Sequence, residues 1–105
     1  MKEEIEIVNG KLLTEKEKEI ADKLLSEYYK KIQHIVKSPL LLKVVFKEYD
    51  KNGKKVKYSL NAEIYFSGIM LGASDWDWDL ARAIHKLMTD LKNKIEKRFK
   101  VSEQK

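Results

Sequence analysis

The run from Leu80 to Ile95 constrains the fold most, because Leu80, Ile84, Leu87, Leu91 and Ile95 recur at three- and four-residue spacing and so form one apolar stripe along an α-helix. Such a stripe must be buried against other structure, so the rest of the chain has to supply a matching apolar surface. The preceding Ser74-Asp75-Trp76-Asp77-Trp78-Asp79 reads as the helix entry, following a strand of about Ile69 to Ala73. Ser74 or Asp75 is the expected cap, and the three aspartates are expected in the field of the positive helix terminus. Lys94, Lys97, Arg98 and Lys100 crowd the opposite end. At about 100° per residue, Arg82, Lys86, Asn93, Lys97 and Lys100 fall within about 60° of one another, nearly opposite the stripe.

The matching surface is written in a different period. Leu42, Val44 and Phe46 alternate with Lys43, Val45 and Lys47, and Tyr58, Leu60, Ala62, Ile64 and Phe66 alternate with Lys57, Ser59, Asn61, Glu63 and Tyr65. This is the pattern of strands with one covered and one open face. Asp50-Lys51-Asn52-Gly53 predicts the hairpin turn between them, and Gly68 predicts a second tight turn. Near the start, Glu4 to Val8 alternates as a short strand, and Asn9-Gly10 turns the chain. Thr14 with Glu17 is a capping-box signature. Behind it Ile20, Ala21, Leu24, Leu25, Tyr28, Ile32 and Ile35 keep helical spacing, which predicts a helix from about Glu15 to Val36, stopped by Pro39. The expected fold class is α+β, in the order β-α-β-β-β-α, with both helices on one face of a four-stranded sheet. Leu24, Phe46, Leu60, Ile64, Ile84, Leu87 and Leu91 are the expected core. One domain over residues 1–101 with a short tail at 102–105 is expected for a chain of 105 residues.

Charge and composition exclude several classes of function. The chain has no cysteine, so disulfides, thiolate metal sites and thiol nucleophiles are out. No apolar run approaches a membrane span, and the acidic start is unlike a secretory signal, so a cytosolic protein is expected. Asp75, Asp77 and Asp79 imitate the first ligands of a calcium loop, but Leu80 stands where that loop needs glycine and Lys86 where it needs glutamate. His34 and His85 lie on different helices, and no catalytic or phosphate-cradling motif is present, so no enzyme activity, cofactor, metal or small-molecule substrate is expected. The excess of 22 basic over 17 acidic residues suits a polyanionic partner. Lys16, Lys23, Lys30 and Lys37 recur every seven residues on the outer side of the first helix, although Glu19, Asp22 and Glu27 lie among them as on an ordinary solvated face. Trp76 and Trp78 are expected to cover the end of the core. Stacking on bases is the alternative, which the three flanking aspartates oppose by repelling phosphate.

Followed residue by residue, the chain resembles the short ribosome-hibernation factors, also called ribosome-associated inhibitors or ribosomal subunit interface proteins. The order of elements resembles that of the double-stranded-RNA-binding type of domain. The narrower likeness rests on the Thr14 cap with Lys18, Lys23 and Leu25, the paired strands Leu42 to Tyr49 and Tyr58 to Phe66, and the run Ala73-Ser74-Asp75 leading into Ala83-Ile84, Lys86-Leu87 and Leu91. Trp76-Asp77-Trp78 and Asp90 depart from that pattern. The resemblance implies a cytoplasmic, monomeric, non-catalytic protein that binds rRNA in the decoding region of the small ribosomal subunit and blocks messenger and tRNA. It also implies action on single ribosomes, or with the help of another factor, since the chain ends soon after its second helix. Position by position it points to Lys18, Lys23, Lys86 and Lys97 as rRNA contacts; charge geometry alone adds Lys30, Arg82, Lys94 and Lys100. A general binder of structured or double-stranded RNA and a protein-interaction module are the alternatives.

Overall fold

A computed structural model describes residues 4–47, 50–52 and 55–103. The elements are β1 (Ile5–Val8), α1 (Glu15–Ile35), β2 (Leu40–Phe46), β3 (Asp50–Asn52), β4 (Lys55–Phe66), β5 (Ile69–Asp77) and α2 (Leu80–Glu103). β1 lies parallel to β2, with Ile5 opposite Leu42, and β2 lies antiparallel to β4, with Phe46 opposite Leu60. β5 pairs antiparallel with the other edge of β4, from Phe66 opposite Ile69 to Tyr58 opposite Asp77. The sheet is therefore mixed and four strands wide, in the order β1-β2-β4-β5, as the α+β reading requires.

Three local expectations change. Asp50 to Asn52 is not a turn but the short strand β3, paired with Lys55 to Lys57; Gly53 lies outside the described residues. β5 continues four residues past Ala73, because β4 reaches back far enough to offer backbone partners as far as Tyr58, and paired strand backbone satisfies its polar groups. Asp75 and Asp77 consequently belong to a strand. α2 starts only at Leu80, and its cap is Asp79, not Ser74 or Asp75: Asp79 Oδ1 accepts the Arg82 N–H at 3.1 Å, while its carbonyl accepts the Ala83 N–H at 2.9 Å.

The remaining signals act as their chemistry dictates. Thr14 Oγ1 accepts the Glu17 N–H at 3.2 Å, and Glu17 Oε1 accepts the Thr14 N–H at 2.9 Å. The second oxygen of Glu17 accepts the Tyr58 hydroxyl, which ties the start of α1 to β4. At its far end α1 stops at Ile35, one residue early, so Lys37 does not extend the helical lysine row. There the Tyr29 hydroxyl donates to the Leu40 carbonyl at 2.8 Å, inside the core, and joins α1 to β2. Ser67 (φ 48°) and Gly68 (φ 75°) make the tight β4–β5 turn with both central residues left-handed.

The core lies between the sheet and the two helices. Leu42, Val44 and Phe46 from β2, Leu60, Ala62, Ile64 and Phe66 from β4, and Ala83, Ile84, Leu87, Met88, Leu91 and Ile95 from α2 are all buried. α1 contributes Ala21, Leu25 and Ile32, whereas Leu24 is only partly buried and Ile20 is exposed. The inward line of α1 passes through Ala21 and Leu25, which turns their neighbours toward its flanks. No helix among the described residues is long and apolar enough to cross a membrane. Leu87→Ala should lower unfolding free energy by about 2 to 5 kcal/mol, the range for a buried leucine. Leu24→Ala should cost clearly less, and parallel denaturant titrations of the two variants measure the difference.

Candidate nucleic-acid interface

Strand parity decides what surrounds the start of α2. Along β5, Ala73, Asp75 and Asp77 turn toward the helix side, while Met70, Ser74 and Trp76 turn to the open face. Asp77 is buried to 8% exposure beneath the first turns of α2. Its Oδ1 accepts the Asp79 N–H at 3.0 Å and lies 3.6 Å from Arg82 Nη1, and its Oδ2 lies 3.4 Å from Lys86 Nζ. Burial by itself raises the affinity of this carboxyl for a proton. The Asp79 N–H and the charges of Lys86 and Arg82 outweigh it and hold Asp77 below the usual aspartate range. Lys86 also lies 3.3 Å from Asp75 Oδ1 and donates to the Trp76 carbonyl at 2.8 Å.

Two turns further along α2, Lys94 repeats part of this arrangement. It donates to the Gly72 carbonyl at 2.8 Å and pairs with Asp90 at 3.5 Å. In a two-residue hairpin closed by Phe66 and Ile69, the even-numbered residues of β5 turn their backbone groups away from β4. Gly72 and Trp76 are of that parity, so both lysines reach outward-facing carbonyls of an edge strand.

The eight basic residues singled out in the sequence therefore fall into distinct sets. Lys23 and Lys30 are exposed on one line of α1, and Lys97 is exposed on α2. Lys18 is exposed on another side of α1, beside a shallow cleft lined with Lys11 and Asp22. None of these four makes a salt bridge among the described residues. Arg82, Lys86 and Lys94 are all held by carboxylates, the two lysines by backbone carbonyls as well. The side chain of Lys100 lies outside the described residues. Between the helices, the Tyr28 hydroxyl shares hydrogen bonds with His85 Nδ1 at 2.8 Å and Thr89 Oγ1 at 3.3 Å, and Lys31 Nζ sits 5.0 Å from the Tyr28 ring centre.

The tryptophans do not cover the core. Trp76 is 46% exposed and Trp78 43%, their rings meeting edge to face with centres 6.0 Å apart. For Trp76 parity is the reason, since it sits on the open face opposite Ser59; Trp78 follows the last residue of β5. Lys57, which the sequence reading passed over, places its ammonium 4.6 Å from the Trp76 ring centre, and Lys86 lies 5.5 Å from it. The alternation that puts Lys57 on the open face of β4 was the available signal. Among the described residues no group of three or more histidines, aspartates or glutamates could hold a metal ion.

No family model matches the sequence, and no curated protein matches it. Solved structures do. The N-terminal domain of Protein Y from Thermus thermophilus superposes with a TM-score of 0.64 at 23% identity, over 94% of this chain and 99% of that one. A ribosomal subunit interface protein from Coxiella burnetii follows with a TM-score of 0.58 at 17% identity, over 90% of this chain and 96% of its own. This chain has their fold.

Asp77 gives a test of the junction with a definite sign. A carboxyl whose folded pKa is depressed stabilises the fold at pH values above its unfolded pKa, about 3.9, and loses that contribution as pH falls through the folded value. Asp77→Asn should therefore melt lower than wild type at neutral pH, and the gap between the two should close in strong acid. Thermal melts of both proteins across the acid range measure it.

Proposed function

We propose that this protein is a non-catalytic ribosome-binding factor that occupies the decoding region of the small ribosomal subunit and keeps messenger and tRNA out of idle ribosomes. The observation that carries the reading is the outer face of α1. Lys23 and Lys30 stand there exposed and, among the described residues, without salt-bridge partners, on a fold shared with a ribosomal subunit interface protein. Unpaired ammonium groups on a rigid helix suit the phosphates of folded RNA, which proteins engage by shape and charge without reading sequence. Lys18 and Lys97 extend the contact to other sides of the two helices. Arg82, Lys86 and Lys94 contribute less, since a phosphate would have to draw them from bonds they already make. Lys100 stays in the proposed contact set on charge pattern alone. The protein acts in the cytoplasm, as a monomer, with rRNA as its main partner.

Changing Lys18, Lys23, Lys30 and Lys97 together to glutamine should leave the fold intact, because exposed substitutions usually shift stability by about 0.5 kcal/mol or less. Small-subunit binding should collapse at physiological salt, and wild-type binding should weaken steeply as salt rises, since each phosphate contact releases condensed counterions. Co-sedimentation with purified small subunits at two salt concentrations, paired with translation in vitro, checks both. A folded variant that binds as tightly as wild type would move the contact elsewhere on the molecule. Equal binding to a plain RNA duplex would point to a general structured-RNA binder.

A further inference from the structure

We propose that Trp78, braced by Trp76 and flanked by Lys57, is a stacking platform for an unpaired nucleobase of the bound RNA; this rests on the RNA-binding function proposed above. Three observations converge at the junction of β5 and α2.

The first is exposure. Both indoles stand more than two-fifths open to solvent, although an indole buries more apolar surface than any other side chain when it packs inward. Trp76 meets Trp78 edge to face, a geometry that fixes the orientation of both rings. The second is the placement of the acids. Asp75 and Asp77 lie on the opposite side of β5 from Trp76. Each is engaged, Asp75 by Lys86 and Asp77 by Lys86 and Arg82, while Asp79 caps α2. The run of aspartates that repels phosphate on paper does not confront a ligand arriving from the open face. The third is the cations. Lys57 makes no salt bridge among the described residues, and its ammonium already rests over the Trp76 ring. Among the described contacts no cation lies over Trp78. Trp76 thus holds a positive charge in place, and Trp78 is the ring left for a ligand.

A partner that needs a flat apolar face beside a positive charge is a nucleotide, whose base stacks while its phosphate meets the ammonium. Base stacking on an aromatic side chain tolerates any sequence, because every base presents a π-face. Trp76 lies on the open side of the sheet and Trp78 packs against it, so the platform would take an unpaired nucleotide beyond the region the lysines of α1 grip.

The chain has only two tryptophans, so its indole fluorescence reports this site alone. The experiment titrates full-length protein, at low salt, with purified small ribosomal subunits and with an RNA duplex bearing an unpaired overhang, the same duplex with an abasic overhang serving as control. Stacking predicts quenching by the subunits and by the intact overhang, and none by the abasic one. Trp78→Ala should weaken binding to the intact overhang by about 5- to 150-fold, the range that one stacked base supplies, and Trp78→Phe should recover most of it. Circular dichroism checks folding, and the phenylalanine variant keeps the test decisive if the alanine variant is unstable. If wild type binds subunits without any change in fluorescence, or if intact and abasic overhangs bind alike, the platform is refuted and the ribosomal function stands. If wild type binds neither subunits nor RNA at low salt, the ribosomal function falls and the platform with it.

Discussion

The carboxylate of Asp77 is the point at which sheet, helix and basic surface meet. An aspartate turned inward by strand pairing cannot stay ionised beneath a helix without donors and positive charge close by. The Asp79 N–H supplies one donor, and Arg82 and Lys86 supply the charge. Meeting that demand fixes the start of α2 against the end of β5. It also orients the apolar stripe of α2, with Ile84, Leu87, Leu91 and Ile95 fully buried. The electrostatics of one residue and the register of the core are thus set at the same junction.

The same demand divides the positive charge of the molecule. α2 carries more basic residues near its ends than its exposed face can offer a ligand, because three of them are turned back onto β5 and its neighbours. Among the described residues α1 has no comparable acid beneath it, and its Lys18, Lys23 and Lys30 are exposed and make no salt bridge. Two helices that look equally basic therefore differ in what they can give to a polyanion: α1 offers exposed lysines without salt bridges among the described residues, while on α2 Lys97 does so but Arg82, Lys86 and Lys94 must exchange an internal bond for an external one. The strength of a basic face depends on the carboxylates behind it as much as on the count of lysines.

Much of the fold was legible in the sequence, for a local reason. The period-two alternation of Leu42 to Phe46 and Tyr58 to Phe66, the helical stripe of α2, the Thr14–Glu17 box and the left-handed turn at Gly68 each depend on residues a few positions apart. What escaped depended on pairing at a distance. Ser74 and Asp75 are good helix caps by type, and only the length of β4, some fifteen residues earlier by the register of Asp75 with Leu60, keeps them in a strand. With that boundary moved, the parity of the following residues took effect: aspartates inward, Trp76 outward. Lys94 reaches a carbonyl 22 residues away in sequence, a contact that no helical projection displays. The resemblance located the fold, which the solved structures share, but Trp76 and Trp78 lie where the sequence departs from that pattern, and Lys57 joins them only through the pairing of β4 with β5.

The two lysines that reach across to Trp76 and Gly72 have a consequence for how this molecule lives among copies of itself. β5 is the outer strand of an otherwise regular sheet, and such a strand is a template on which another chain can build by backbone pairing. Lys86 and Lys94 occupy two of its outward carbonyls with charged groups anchored on a neighbouring helix. An incoming strand would have to strip both ammonium groups away and then lie beside them. Both contacts therefore oppose strand addition along β5.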